Sequence, residues 1–329
     1  MKKRIAINGF GRIGRLTLRA LLGYSDLEIV AINDLAPATT LAHLFKYDST
    51  YGPFKGTIAC TDTHLWIDNH PIAVFRCADP VQLPWQACTV DIVLDATGRF
   101  LDQEGASKHL QAGAKQVLLS APAKSETIPT VVLGINDAIL HTKPVIVSNA
   151  SCTTNCLAPI VKVLDEQFGI EQGIVTTIHA YTTDQSLQDA PHTDLRRARA
   201  AAVSIIPTYT GAAKAIGLVL PHLKGKLDGI AMRVPVANGS VVDFTTILQK
   251  ETTVNQLNKS VLVAAQASLK HILAYTEDPI VSADIIGNTH SSVFDAKLTY
   301  VQGKFVKVVC WYDNEGGYAH RLVDVMRLL

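Results

Sequence analysis

Two stretches of this chain carry residue types at spacings that could do chemistry. The first is Gly9-Phe10-Gly11-Arg12-Ile13-Gly14, followed by a carboxylate at Asp34, twenty residues past Gly14. Each glycine has a separate purpose in such a turn: Gly9 permits the tight bend, Gly11 lets backbone approach a pyrophosphate, and Gly14 lets a helix pack closely on a strand. The diphosphate would sit on the N-terminus of the following helix. Asp34 would bond ribose hydroxyls and repel a 2′-phosphate, which selects NAD over NADP. The competing readings are a glycine turn that only packs, and an aspartate that only caps a turn. The second stretch is Ser148-Asn149-Ala150-Ser151-Cys152-Thr153-Thr154-Asn155-Cys156. It follows a predicted strand and precedes an apolar helical pattern, so Cys152 falls at or near a helix N-terminus. A free thiol of pKa about 8.5 is only a few per cent thiolate at neutral pH; a helix dipole and a neighbouring imidazolium can bring it to about 6. That is a gain of about thirtyfold in nucleophile. His179, at the end of a strand-like run from Gly173, is the candidate base, against the alternative of a structural histidine. Cys156, one turn beyond Cys152, reads as an inert packed thiol.

These groups need elements to hold them. Arg4 to Asn8 reads as a strand, the glycine turn opens a helix reaching Leu22, and Glu28 to Asn33 reads as a second strand, together a βαβ unit. Further β-rich runs follow at Asp91 to Asp95, Gln116 to Leu119, Thr130 to Leu133 and Pro144 to Val147, with a helical segment at Gly105 to Ala112. Near-continuous apolar strands alternating with helices predict a doubly wound parallel sheet. Past residue 150 the pattern changes to an α+β one. Lys226 to Val236, Ser240 to Leu248 and Phe305 to Trp311 predict a mostly antiparallel second sheet, with helices over Val254 to His271 and Glu315 to Leu329. Pro159 requires the helix after Cys152 either to bend or to begin later. The polar, arginine-bearing stretch from Thr182 to Ala200 has little periodicity, and a loop that long is usually functional.

Composition narrows the classes. The chain has 329 residues, of which 48% are hydrophobic and 18% charged, far from the signature of disorder and long enough for two domains. Thirty basic against twenty-nine acidic residues leave a net charge of +1, so no global field draws the chain to nucleic acid or an anionic membrane. Six cysteines at irregular spacing fit neither a disulfide scaffold nor a structural zinc site, so no metal is expected. No apolar run is long enough to span a bilayer, and the basic start Lys2-Lys3-Arg4 leads into no apolar signal core. The expected location is the cytoplasm.

The residues then become diagnostic. Ile7 to Arg15, Ser148 to Cys156, His179-Ala180-Tyr181-Thr182, Thr210 to Ala215, Arg233-Val234-Pro235 and Trp311-Tyr312-Asp313-Asn314-Glu315 resemble, in order and along essentially the whole chain, phosphorylating glyceraldehyde-3-phosphate dehydrogenase of the bacterial type. The resemblance implies an NAD-binding Rossmann domain over 1–150, a catalytic domain over 151–314, and a C-terminal helix over 315–329 that packs back onto the first. It implies Cys152 as nucleophile and His179 as its base, in a homotetramer. Arg12 and Ile13 would lie against the pyrophosphate beside Gly9, Gly11 and Gly14, with Asp34 on the adenosine ribose, Thr97 and Ser120 around the cofactor, and Asn314 on the nicotinamide carboxamide. Thr182 and Arg233 would hold the phosphate of glyceraldehyde 3-phosphate, and Ser151, Thr153, Arg197, Thr210 and Gly211 would surround inorganic phosphate. Two features depart from the family pattern: Cys77-Ala78 stands where bacterial relatives often carry Glu-Arg, and Ala190-Pro191 where NAD-preferring members commonly show Leu-Pro. The alternatives are a dual NAD/NADP triose-phosphate enzyme and the related erythrose-4-phosphate dehydrogenase.

Overall fold

A computed structural model describes residues 2–329. The chain divides into two compact units, one of residues 1–131, 137–150 and 319–329, the other of 132–136 and 151–318.

The first unit begins with β1 (Lys3–Asn8), whose Ile5, Ala6 and Ile7 are buried as the apolar run of a central parallel strand demands. After it come α1 (Arg12–Leu21), β2 (Leu27–Asn33), α2 (Ala38–Lys46), β3 (Ile58–Cys60), β4 (His64–Ile67), β5 (His70–Phe75), β6 (Ile92–Asp95), α3 (Gln103–Gln111), β7 (Gln116–Leu119) and β8 (Ile146–Ser148). The eight strands form one sheet in the order β3-β4-β5-β2-β1-β6-β7-β8. β1 pairs in parallel with β2 on one side and β6 on the other. The order therefore reverses at β1, and in such sheets ligands bind beyond the carboxyl ends of the strands flanking that point. The doubly wound expectation is met, with two differences. An antiparallel flank, β3 against β4 against β5, extends the β2 side. Thr130 to Leu133, expected as a strand, contributes only an isolated bridge from Thr130 to Ser148. Pro129 lies just before it, and the chain turns at Gly134 with φ 82°, which leaves no length for a ladder.

The second unit holds α4 (Cys152–Phe168), β9 (Ile170–Ala180), β10 (Ile206–Tyr209), α5 (Ala212–Val219), β11 (Leu227–Val234), β12 (Ser240–Leu248), α6 (Val254–Gln266), β13 (Leu273–Thr276), β14 (Ser292–Asp295), β15 (Tyr300–Gln302) and β16 (Phe305–Tyr312). Its sheet runs β10-β11-β9-β12-β16-β14-β13, with β15 pairing β16. Most pairings are antiparallel, as expected, but β13 and β14 run parallel, as do β9 and β11, the latter in register from Gly173 with Leu227 to Ala180 with Val234. Gly229 is required there, because a Cβ on it would lie 2.2 Å from the Val175 carbonyl oxygen. The helix after Cys152 does not begin late: α4 begins at Cys152 and carries Pro159 inside it. Pro159 forfeits one backbone donor, while the buried Leu157, Ala158, Ile160 and Val161 around it supply apolar contact. α6 ends at Gln266, earlier than its periodicity predicts. The chain closes with α7 (Gly316–Leu328).

Candidate active site

The glycine turn of the first unit has the geometry its sequence requires. Gly9 adopts φ 91°, and a Cβ on it would lie 2.8 Å from the carbonyl carbon of Ala96 and from the amide of Thr97. A Cβ on Gly14 would lie 2.2 Å from the Gly9 carbonyl oxygen, so helix and turn touch through backbone. Gly11 differs: no atom lies within 4 Å of where its Cβ would be. That position is open space at the mouth of α1, whose N-cap Gly11 supplies no side-chain cap, as an approach to a diphosphate needs. Asp34 is fixed by backbone, its Oδ2 accepting from the Phe10 amide at 2.8 Å and its Oδ1 from the Ala36 amide at 3.0 Å. Thr97 donates its amide and hydroxyl to Asp95 Oδ1, and the Ser120 amide donates to the Asp95 carbonyl. Gly14 is buried and Ile13 partly so on α1. The Arg12 side chain turns to Asp48, with Nη1 2.5 Å from Oδ2. Arg76 lays its guanidinium on the Leu35 carbonyl, beside Asp34. These residues fit a dinucleotide: a glycine cradle too tight for any Cβ, an open helix mouth, and a carboxylate aimed by two amides.

In the second unit the nucleophile candidate is placed by a helix cap. Ser151 is the N-cap of α4, its Oγ accepting from the Thr154 amide at 3.1 Å, so Cys152 is the first helical residue. His179 comes from the end of β9, and Cys152 Sγ and His179 Nε2 are 3.5 Å apart. His179 Nδ1 lies 2.6 Å from the Ala180 carbonyl oxygen. Nε2 is the ring nitrogen that faces the sulfur. β9 and β11 pair His179 with Arg233, whose Nη1 reaches 2.8 Å from His179 Nδ1 and donates to the Ala180 carbonyl at 3.0 Å. Arg233 Nε is buried with no hydrogen-bond partner among the described residues.

Burial acts on both members of the pair. His179 is pushed down to about 3, by burial first and then by the charges of Arg233 and Arg197. Burial pushes the Cys152 thiol up, against the pull of Arg233 and the hydrogen bonds at the helix start. Burial thus acts on both groups in the sense opposite to the ionised pair anticipated from the dipole. Sequence spacing could not show that an arginine would stand against the histidine.

Other expected residues divide into those gathered here and those engaged elsewhere. Thr153 Oγ1 bonds the Tyr312 hydroxyl at 2.9 Å, and the same hydroxyl bonds Thr177 Oγ1 at 2.8 Å. Arg197 pairs with Asp184 and donates Nε to Thr208 Oγ1 at 2.9 Å, while its charge reaches His179 and Arg233. Thr210 Oγ1 accepts from the Ala212 amide at 3.2 Å, and Gly211 is the N-cap of α5. The Thr182 amide donates to Gln185 Oε1 at 3.4 Å. Asn314 is oriented by Ser240, whose hydroxyl donates to Asn314 Oδ1 at 2.7 Å and accepts from the Ala180 amide at 3.0 Å. Sequence reasoning missed Tyr312 and Ser240 as supports. Tyr312 packs its ring edge-on to the imidazole with centroids 5.9 Å apart, and no spacing rule links residues 133 positions apart. Among the described residues no cluster of His, Cys, Asp and Glu could hold a metal ion, and no helix is long and apolar enough to cross a membrane.

Nucleotide geometry in one unit and a helix-capped thiol beside an imidazole in the other are the parts of a nicotinamide-dependent dehydrogenase that works through a cysteine. Comparison with known proteins makes that class particular. Residues 3–103 match the NAD binding domain, and residues 151–314 the C-terminal domain, of glyceraldehyde 3-phosphate dehydrogenase. A glyceraldehyde-3-phosphate dehydrogenase of Geobacillus stearothermophilus is 56% identical over 327 residues, covering 99% of this chain and 97% of the relative. One from Mycobacterium avium is 53% identical over 337 residues, covering 100% and 99%. One from Mycoplasma pneumoniae is 56% identical over 327 residues, covering 98% and 96%. The chain belongs to the glyceraldehyde-3-phosphate dehydrogenase family.

Proposed function

We propose that the chain carries out the NAD-dependent, phosphorylating oxidation of glyceraldehyde 3-phosphate to 1,3-bisphosphoglycerate through a thioester on Cys152. The observation that carries the mechanism is the 3.5 Å approach of His179 Nε2 to Cys152 Sγ at the first residue of α4. His179 Nε2 takes the thiol proton as the sulfur bonds the aldehyde carbon, giving a hemithioacetal. The Cys152 amide at the helix start and the protonated imidazole stabilise the oxyanion where it forms. Arg233 opposes that imidazolium, so His179 returns promptly to the neutral state that can accept the hydroxyl proton. NAD, when bound, supplies the acceptor for the hydride that leaves the hemithioacetal carbon. The residues assigned to hold it are Gly9, Gly11, Arg12, Ile13, Gly14, Asp34, Thr97, Ser120 and Asn314. Inorganic phosphate then attacks the thioester and releases the acyl phosphate, returning the sulfur to Cys152.

For the phosphates, the buried Nε of Arg233 is the best support, since a buried donor lacking a protein acceptor costs about 1–3 kcal/mol until something fills it. We assign Arg233 and Thr182 to the substrate phosphate, and Ser151, Thr153, Arg197, Thr210 and Gly211 to the attacking one. A homotetramer is part of the same reading. Leu187, Leu195 and Val203 are each about four-fifths exposed in the single chain, a pattern favouring cover by another copy. The cytoplasm is the location this chemistry fits.

The deciding experiment is NADH formation from glyceraldehyde 3-phosphate with and without inorganic phosphate, beside erythrose 4-phosphate as rival substrate. Multiple turnovers that require phosphate and favour the triose are expected. A clear preference for the tetrose, or turnover indifferent to phosphate, would overturn the assignment.

A further inference from the structure

Beneath the nucleotide turn lies a chain of buried polar groups that the mechanism does not use. Trp85, Asp95 and His109 are fully buried, and Asn8 nearly so. The indole Nε1 of Trp85 donates to His109 Nδ1 at 3.0 Å. An indole nitrogen can only donate, so Nδ1 is bare and the hydrogen of His109 is on Nε2. Nε2 lies 3.1 Å from Asp95 Oδ2 and donates to it. Asn8 Nδ2 donates to the same oxygen at 2.9 Å. The other oxygen, Oδ1, accepts the amide and the hydroxyl of Thr97 at 3.0 and 2.7 Å. Every acceptor position of Asp95 is thus assigned, and two of the four donors belong to the loop against which Gly9 packs. At that contact there is not room for one methyl group. Deep core and glycine turn are joined by a line of directional bonds from Trp85 to Thr97.

We propose that Trp85, His109 and Asp95 form a positioning relay that sets the Thr97 loop against the Gly9 turn and so governs NAD affinity. None of the three touches the nucleotide in this account; they act through Thr97. The indole N–H fixes the tautomer of His109, the tautomer makes His109 a donor to Asp95, and that donor together with Asn8 orients the carboxylate plane that holds Thr97. A buried network of this kind gains its specificity from being complete, and loses it when one member is left without a partner. The relay rests on the NAD assignment, and its test separates the two.

The test measures NAD dissociation constants by calorimetry on the full chain, with kcat and KM for NAD alongside. Trp85→Phe keeps an aromatic ring in the core but removes the N–H, freeing His109 to take either tautomer. It is expected to weaken NAD about three- to tenfold, the size of one lost neutral hydrogen bond, with kcat at saturating NAD held within about twofold. His109→Gln, whose amide can both accept from the indole and donate to Asp95, is expected to stay within about twofold of the parent, whereas His109→Leu is expected to weaken NAD at least as much as Trp85→Phe. Leu83→Ala is the control: it opens the same core cluster without touching the polar chain, and should lower Tm while leaving NAD affinity unchanged. Unaltered NAD affinity in Trp85→Phe would overturn the relay, as would an equal loss in Leu83→Ala, which would mean general loosening. A parent protein that binds no NAD would overturn the cofactor assignment itself, before any variant is compared.

Discussion

Arg233 does two things at residue scale that pull in opposite senses for the pair beside it. Its charge lowers the Cys152 thiol, making thiolate easier to form, and lowers His179, making imidazolium harder to form. Arg233→Gln should therefore move the pH profile of Cys152 alkylation by iodoacetamide to higher pH and let His179 titrate at higher pH; NMR of the imidazole checks the second half. Cys152→Ser should lower NADH production by at least about a thousandfold, since the hydroxyl is a far weaker nucleophile, and His179→Asn by about a hundredfold or more. His179 also links to stability. Its folded value of about 3 lies below its ordinary 6.5. Between those values the unfolded chain binds a proton that the folded chain does not, so stability is full above about 6.5 and falls as the pH drops toward 3. This one group contributes a slope of up to about 1.4 kcal/mol per pH unit. Urea titrations across that window should show a shallower acid loss in His179→Asn than in the parent.

Single backbone contacts decide much at the scale of the element. Gly9→Ala would force a Cβ into the Ala96–Thr97 peptide while holding a left-handed φ, so NAD affinity should fall at least tenfold, on the order of the 1–3 kcal/mol that backbone strain costs, with a lower Tm. Ser151→Ala removes the cap that starts α4, and should cost about 1 kcal/mol in denaturant titrations while slowing Cys152 alkylation. The first unit was legible in the sequence wherever periodicity and glycine spacing are local: β1, α1, β2, β6 and β7 fall within a residue or so of expectation. The antiparallel flank of β3, β4 and β5 was not, because its strands are short, three, four and six residues, and half-exposed. Of its strands β5 pairs with β2, a contact no window of the sequence contains. The start of α4 at Cys152 was legible through Ser151. Its passage through Pro159 was not, since tertiary packing there outweighs propensity.

For the whole molecule, the proposed catalytic pair, Cys152 and His179, was legible only as two residue types in diagnostic strings. What the strings could not carry was the register of β9 on β11, which sets Arg233 against His179, or the reach of Tyr312 from the far end of the chain. The downward push on His179 comes first from its burial and then from the arginine that this register sets against it, neither of which spacing shows. The exposed Leu187 and Leu195 carry a prediction at this scale: light scattering should report the mass of four chains, and Leu195→Asp should reduce it.

The first unit is stitched from both ends of the polypeptide. Lys3 Nζ donates to the carbonyls of Met326 and Arg327, Arg327 Nε donates to Asp26, and its guanidinium lies over the Tyr24 ring. During translation, residues 1–150 therefore leave the ribosome long before the segment that completes them. A nascent chain halted before Ala319 would keep its nucleotide fold unsealed, and proteases or chaperones would meet β1 and β2 without the segment that belongs beside them.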